Sequence, residues 1–222
     1  METARAIEDR RSIRAFTDQP LDRETVQRLL QLARCAPSGA NLQPGYFHVL
    51  TGAPFEGLKQ CLTRAIGSDR PQVSEYSYFP DPMAADLKAR QRAAGFALYA
   101  ALGIERRDLV GRRAQFDRNY RFFDAPVGII VTIRRSMGSG CFMDLGMAIQ
   151  TLLLATHDAG LGACGIGALA NYADVVHDHL ALPADHMVVC GIALGYPAVA
   201  PVNDFRTERD NLDLFASFAG FD

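Results

Sequence analysis

The sequence predicts one domain in which α-helices and β-strands share a core, and three observations carry that prediction. The chain has 222 residues, 49% of them hydrophobic and 22% charged, a size and balance that suit one well-cored globular unit. Three apolar runs rich in β-branched or aromatic residues, at 46–51, 127–133 and 187–194, read as strands. Between them lie segments whose apolar residues recur at helical spacing, with no internal repeat and no interdomain linker.

In chain order, residues 1–9 are weakly helical, with Ala4, Ala6 and Ile7 on one side, and run straight into Arg10-Arg11-Ser12-Ile13-Arg14. Asp22 can cap the next helix, where Val26, Leu29, Leu30 and Ala33 share a face until Pro37 and Gly39 stop it. Ser38, Gly39 and Asn41 therefore fall in a loop. The strand at 46–51 gives way to a helix over 54–66, with proline tolerated in its first turn. Residues 67–89 hold Pro71, Pro80 and Pro82 with Tyr76, Tyr78 and Phe79 between them, so regular structure is broken while aromatic surface is kept. Such a stretch is either a mobile lid or a plain connection, and loops this long in compact domains are more often functional.

Residues 92–105 and 109–120 read as helices, the second with a basic face. Pro126 opens the strand at 127–133, and Gly138-Ser139-Gly140 turns the chain out of it. The helix expected over 142–159 carries only Asp144 and Asp158 as charges. A helix apolar on every side is buried on every side, against a central core or a second subunit. After the strand at 187–194, the tail contains Leu212, Leu214, Phe215 and Phe218, which need an apolar surface to rest on.

A formal charge of -2 and a pI near 6.2 argue against a nucleic-acid or membrane-surface role. No apolar stretch is expected to span a bilayer, and the charged opening residues do not read as a signal peptide or anchor. The five cysteines form no CxxC pair and read as reduced core thiols of a cytoplasmic protein.

Three guanidiniums and a hydroxyl crowd residues 10–14. If that segment is extended, Arg10, Ser12 and Arg14 share one side, because side chains alternate along a strand. Forked, permanently charged donors suit phosphate and planar carbonyl edges. Arg206-Thr207-Glu208-Arg209 is a second basic cluster, and two remote clusters can converge on one anion.

Other motifs carry less. Gly160-Leu161-Gly162-Ala163-Cys164-Gly165 matches a dinucleotide fingerprint in spelling, but the helix precedes it where a strand is required. Its first glycines read as a helix end. In Gly165-Ile166-Gly167-Ala168, either a flat ring approaches the bare backbone or the segment is a plain tight turn. His177 and His179, alternate on a helix, point apart, so they and His186 read as surface residues and no metal site is expected. No nucleophile–base constellation emerges, and Ser38 is not in a nucleophile elbow.

The Arg10–Phe16 segment, Ala36-Pro37-Ser38-Gly39-Ala40-Asn41-Leu42-Gln43-Pro44, the NYRFFDAP approach at 119–126, DLGMAIQ at 144–150 and the GLGAC that follows resemble the nitroreductase-like flavoproteins over nearly the whole chain. The nitrobenzoate and nitrobenzene reductase branch is the most similar, through Tyr76-Ser77-Tyr78-Phe79-Pro80, LYAALGI at 98–104 and RTER at 206–209. The resemblance implies an α+β fold, with a mixed, mainly antiparallel sheet surrounded by helices. It implies a single FMN-binding domain over residues 1–222, with a lid at 67–95 and a dimer-embracing extension at 195–222. Two such chains form an intertwined homodimer with FMN at the interface.

By position, Arg10 and Ser12, with Arg11 beside them, hold the phosphate and ribityl end. Arg14 faces the pyrimidine edge and tunes the ring. Pro37, Ser38, Gly39 and Asn41 arrive from the other subunit. The backbone of Ile166, Gly167 and Ala168 meets the ring, although Gly167 stands where relatives carry an acidic residue. Arg206 and Arg209 complete the phosphate site, and Tyr76, Tyr78 and Phe79 meet the substrate. The implied activity passes electrons from NAD(P)H to a nitrobenzoate-like, nitrobenzene-like or quinone acceptor by a ping-pong mechanism, with no catalytic side chain beyond the cofactor. Alternatives within the fold are a reductive dehalogenase-like or flavin-fragmenting enzyme; from another class comes a non-catalytic flavin-binding protein.

Overall fold

The computed structural model describes residues 2–68 and 70–221. Along them run α1 (Thr3–Asp9), α2 (Arg23–Ala33), β1 (Tyr46–Leu50), α3 (Gly52–Ile66), α4 (Ala85–Ala101), α5 (Leu109–Asp117), β2 (Val127–Arg134), α6 (Ser139–Asp158), β3 (Gly162–Ile166), α7 (Ala173–Leu180), β4 (His186–Gly195), α8 (Pro201–Asp204) and α9 (Leu212–Phe215). Met1 and Asp222, within the expected first helix and C-terminal extension, and Asp69, within the expected lid, lie outside the described residues.

The four strands form one sheet in the order β1-β2-β4-β3, with every neighbouring pair antiparallel. Its parallel character comes from a single bridge, Ser12 to Ala163, by which the arginine segment lies along the edge strand β3. The central strands are covered on both faces, which is why β2 and β4 read as continuous apolar runs. On one face pack Phe55, Leu58 and Leu62 of α3 with Tyr120, Phe122, Phe123 and Val176. On the other pack Val26, Leu29 and Ala33 of α2 with Leu145 and Leu152 of α6. Asp22 caps α2 as expected, its carboxylate accepting from the Thr25 amide at 2.7 Å.

Several boundaries move for physical reasons. The strand β3 was not expected, because Gly162-Ala163-Cys164-Gly165-Ile166 has little strand propensity and exists by pairing with β4. Helix α4 starts at Ala85, before the expected 92, so the end of the stretch expected as lid is helical. Ser139 and Gly140, expected as a turn, are the first residues of α6. After α5 a 3-10 turn at Arg118–Asp124 holds Phe122, Phe123 and Asp124 at φ of 53°, 54° and 63°. Left-handed backbone at two buried aromatics is unusual, and here burial of both rings maintains it.

Helix α6 corrects one expectation and sharpens another. By length and composition it is apolar enough to cross a membrane, contrary to the reading that no stretch is. In the fold it packs on α2, yet among the described residues it buries only Leu145, Leu152 and Thr156 and leaves Met143 and Met147 exposed. One chain therefore does not bury this helix on every side. The tail is likewise open, with Leu212, Leu214, Phe215, Phe218 and Phe221 exposed. Cys164 and Cys190 are buried as expected of core thiols, whereas Cys35 is exposed.

The histidines are not surface residues either. His186 is buried, stacks on Tyr46 with ring centroids 4.4 Å apart, and shares the Thr132 hydroxyl with His48 at 3.1 and 3.0 Å. Half-buried His177 meets Glu75, and His179 Nε2 bonds the Pro54 carbonyl. Burial first, and His186 second, push His48 below the ordinary histidine value of 6.5. Above that value both folded and unfolded chains are neutral at this site and its stability contribution is whole. As pH falls below it, the unfolded chain gains a proton that the folded one resists, so stability is lost. The urea midpoint should fall between pH 7 and pH 5, and less steeply in His48→Gln; equal slopes would exclude His48 as a source of the dependence.

Candidate functional site

The arginine segment is fixed by what lies between its arginines. Ile13 is buried, donates its amide to the Ala163 carbonyl at 3.0 Å and rests on Gly162, where even a Cβ would come within 2.8 Å of it. With Ile13 turned toward the sheet, the alternation of extended backbone sends its neighbours the other way. Arg10, Ser12 and Arg14 accordingly line one cavity of about 310 Å³, and Phe205, Arg206, Thr207 and Arg209 line it from the C-terminal side. The two basic clusters do converge. Arg11 touches the same cavity but is committed to the tail, donating to the Asn203 carbonyl and facing Asp204 at 3.9 Å.

The convergence depends on Asn203, a buried amide with every polar valence used. Its Oδ1 accepts from the backbone amides of Arg14 at 2.8 Å and Ala15 at 3.2 Å, and its Nδ2 donates to the carbonyls of Ala15 and Ala198, each at 2.8 Å. Arg206 adds a second tie, donating to the Glu8 carbonyl at 2.7 Å and facing Asp9 at 3.5 Å. The Arg14 guanidinium lies between two rings, 6.0 Å from the Phe123 centroid and 5.9 Å from that of Phe205. The left-handed turn of the fold thus has a local consequence: it delivers Phe123 to Arg14.

Five arginines line the cavity against one acidic residue, Glu8. Among the described residues Arg10, Arg14 and Arg209 have no carboxylate partner, and Arg10 Nε is buried without a hydrogen-bond acceptor. Burial, then the neighbouring Arg209, hold the Arg10 pKa below its ordinary value. Guanidiniums gathered this way suit a multiply charged oxyanion, which would offer acceptors to each fork.

The other expected site residues fall in two further places. Pro37 and Ser38 line a separate cavity of about 180 Å³ between α2 and α6, which shares no residue with the arginine cavity. Gly39 donates its amide to Asp144 at 3.0 Å and Gln43 to the Ser38 hydroxyl at 2.9 Å, holding a turn in which Ala40, Asn41 and Gln43 all have positive φ. Asn41 is exposed. Within one chain, then, Pro37, Ser38, Gly39 and Asn41 are not brought to the arginines.

Ile166 ends the strand that Ser12 bridges, and Gly167 and Ala168 follow directly after it. From Ala163 to Gly167 is about 13 Å at the rise of a strand. On the way Gly165 is exposed between buried neighbours, with open space above its backbone. Ile166 is itself buried, and Gly167 opens a 3-10 turn.

The aromatic stretch is tied down at its base and free at its tip. A bulge in β4, where the register with β2 slips between Val131 and Thr132, leaves backbone groups that the stretch uses. The Val188 amide donates to Glu75 at 2.6 Å, and the Tyr76 hydroxyl donates to the Val189 carbonyl at 2.6 Å. Glu75 also meets Arg135 and, at 3.3 Å, His177, while Val73 donates to Asn171 at 2.8 Å. Desolvation raises the Tyr76 pKa, as expected of a half-buried phenol. Tyr78 and Phe79 stay exposed, edge to face at 4.9 Å, with Tyr78 over Gly167.

Residues 7–196 match the profile of the nitroreductase family. The chain belongs to that family. It is 35% identical to a 4-nitrobenzoate reductase of Pseudomonas putida, over 97% of this chain and 95% of that one. It is 37% identical to a chloronitrobenzene nitroreductase of Comamonas testosteroni, over 96% and 94%. Its fold superposes with a TM-score of 0.97 on the solved FMN and NADPH-dependent nitroreductase NfnB of Sphigopyxis sp. strain HMH, at 37% identity and 100% of both chains. The family match stops before α8, so Asn203, Phe205, Arg206 and Arg209 lie outside it.

Sequence reasoning missed Asn203, Phe205, Phe123, Glu75 and Asp144 as organising residues. Only the resemblance flagged the stretches around Phe123 and Asp144, and nothing in a short polar tail marks Asn203. Asn203→Ala removes the partner of two part-buried amide donors and a carbonyl at once, which should cost about 2–4 kcal/mol. Urea denaturation measures that loss, and limited proteolysis should show faster cleavage in the 203–211 segment. A loss within ~0.5 kcal/mol, the range of ordinary surface changes, would show that Asn203 does not hold the two segments together.

Proposed function

We propose that this chain is an FMN-dependent oxidoreductase that passes electrons from NAD(P)H to a nitroaromatic acceptor of the nitrobenzoate or nitrobenzene type, or to a quinone. The observation that carries the reading is the arginine cavity at one end of β3, with bare glycine backbone farther along the same strand. The residues present fit FMN in chemistry and order. An unpartnered buried Arg10 Nε and three guanidiniums without counter-ions suit a phosphate, and Gly165 leaves room over the backbone for a flat ring. The names of the Pseudomonas and Comamonas relatives support a nitroaromatic acceptor, and that of NfnB supports FMN and NADPH.

FMN, when bound, takes two electrons from the nicotinamide and releases them to the acceptor, so the protein need supply no nucleophile or general base. This chain's residues bind and orient. Arg10, Ser12, Arg206 and Arg209 hold the phosphate end, with Arg11 securing the tail behind them. Arg14, clamped by Phe123 and Phe205, presents a fixed positive charge that favours added negative charge on the ring. The backbone at Ile166, Gly167 and Ala168 lines the ring, and Tyr76, Tyr78 and Phe79 border the acceptor space.

The site needs a second copy of the chain. Pro37, Ser38, Gly39 and Asn41 do not reach their own arginine cavity, α6 leaves Met143 and Met147 exposed, and the tail leaves Leu214, Phe215, Phe218 and Phe221 largely exposed. A homodimer supplies one partner for all three, as apolar patches of this kind mark interfaces. Residues 195–222 embrace the partner, the 67–95 region works as a lid, and the enzyme acts in the cytoplasm.

Two experiments test this reading. Purified protein should be yellow with about one FMN per chain, be reduced anaerobically by a nicotinamide, and reoxidise on mixing with 4-nitrobenzoate, nitrobenzene or a quinone. A bound flavin that neither NADH nor NADPH reduces would contradict the enzyme. Deleting residues 211–222 should abolish the dimer in sedimentation and release the flavin; a yellow, active monomer would contradict the shared site.

A further inference from the structure

We propose that Gly167 sets acceptor specificity by seating the Tyr78 ring as one wall of the acceptor slot. This rests on the oxidoreductase reading above and adds to it. A Cβ built on Gly167 would lie 2.8 Å from Tyr78 Cε2 and 3.2 Å from Cδ2 and Cζ, closer than side chains tolerate. The Gly167 backbone has no positive φ, so the chain conformation does not call for glycine there. The neighbouring ring does. Any side chain at 167 can be accommodated only by moving the Tyr78 ring away from that backbone.

The ring is free to move and its base is not. Tyr78 is 61% exposed and touches other rings only at Phe79, at 4.9 Å, and more distantly Tyr76, at 6.3 Å. Val73, Glu75 and Tyr76 are held to Asn171, Val188, Arg135, His177 and Val189, as described above. Displacement therefore falls on residues 77–79. Gly165 is the penultimate residue of β3 and Gly167 begins the 3-10 turn directly after it, so the two backbones stand within about 7 Å of each other. Tyr78 over Gly167 thus borders the open space above Gly165, where its edge can meet the face or rim of a single aromatic ring. The residue at 167 fixes the width of that space through Tyr78, without itself touching the acceptor.

The test is a double-mutant cycle of Gly167→Ala and Tyr78→Ala in the FMN-loaded dimer, with 4-nitrobenzoate and 1,4-naphthoquinone as acceptors. Gly167→Ala should raise KM for 4-nitrobenzoate roughly 3–10-fold, the scale of one aromatic edge contact. The two-ring quinone should be affected less, so that the preference between acceptors shifts. In the Tyr78→Ala background Gly167→Ala should add nothing further. An additive cycle, or an unchanged acceptor preference, would overturn the proposal. A readout that needs no turnover accompanies it: cross-relaxation between Tyr78 ring protons and Gly167 Hα should be present in the parent protein and lost in Gly167→Ala. Its absence from the parent would overturn the seat whatever the kinetics show. A parent enzyme that shows the contact but reduces neither acceptor would refute the oxidoreductase reading, and with it the acceptor role, while leaving the seat as a structural fact.

Discussion

Two stretches of chain separated by 189 residues meet on three hydrogen bonds of one asparagine side chain, whose fourth bond braces its own stretch at Ala198. Without Asn203 the backbone amides of Arg14 and Ala15 would lose their acceptor beside a tail that has little packing of its own. With it, the arginines of both ends face one cavity, although Arg10, Arg14 and Arg209, which among the described residues have no carboxylate partner, repel one another there. Positive charges crowded without counter-ions are costly to maintain unless something anionic relieves them. The architecture around Asn203 is what holds that unfavourable arrangement ready for a ligand.

The sheet contributes the rest of the site through its irregular places. Regular pairing of β2 and β4 builds the core, whereas the bulge near Val189 exposes the backbone groups that Glu75 and Tyr76 grip. The edge strand β3 is composed almost wholly of small residues, so Ile13 can lie against Gly162, and the glycine directly after it, Gly167, admits Tyr78. Anchoring at 73–76 and freedom at 77–79 are thus local outcomes of one bulge and one glycine.

How far the sequence reveals this differs from element to element. The strands β1, β2 and β4 and the helices α2, α3 and α6 are visible because burial on one or both faces leaves a periodic or continuous apolar trace. Strand β3 is not, since pairing rather than propensity creates it. The start of α4 is obscured because Ala84 and its neighbours provide no side-chain cap. Within the site, the alternation of Arg10, Ser12 and Arg14 is correctly implied by an extended backbone. Arg11's commitment to the tail, the ring clamp on Arg14 and the buried His48–Thr132–His186 contact are tertiary facts with no local signature. The loop at 37–41 is located by its motif, but its place in a site depends on a surface that one chain does not contain.

The central claim is that the two arginine clusters together form a phosphate site for a flavin, and titrating the apoprotein dimer with FMN and with riboflavin tests it most directly. The two ligands share the ring and ribityl chain and differ by the phosphate alone. FMN should bind at least ~100-fold more tightly, about the free energy of two charge-assisted hydrogen bonds, and added salt should narrow the gap. In Arg10→Ala combined with Arg209→Ala the preference should largely disappear, while riboflavin affinity stays near that of the parent. Equal affinity of the parent protein for FMN and riboflavin, or a preference that survives loss of both arginines, would contradict the account.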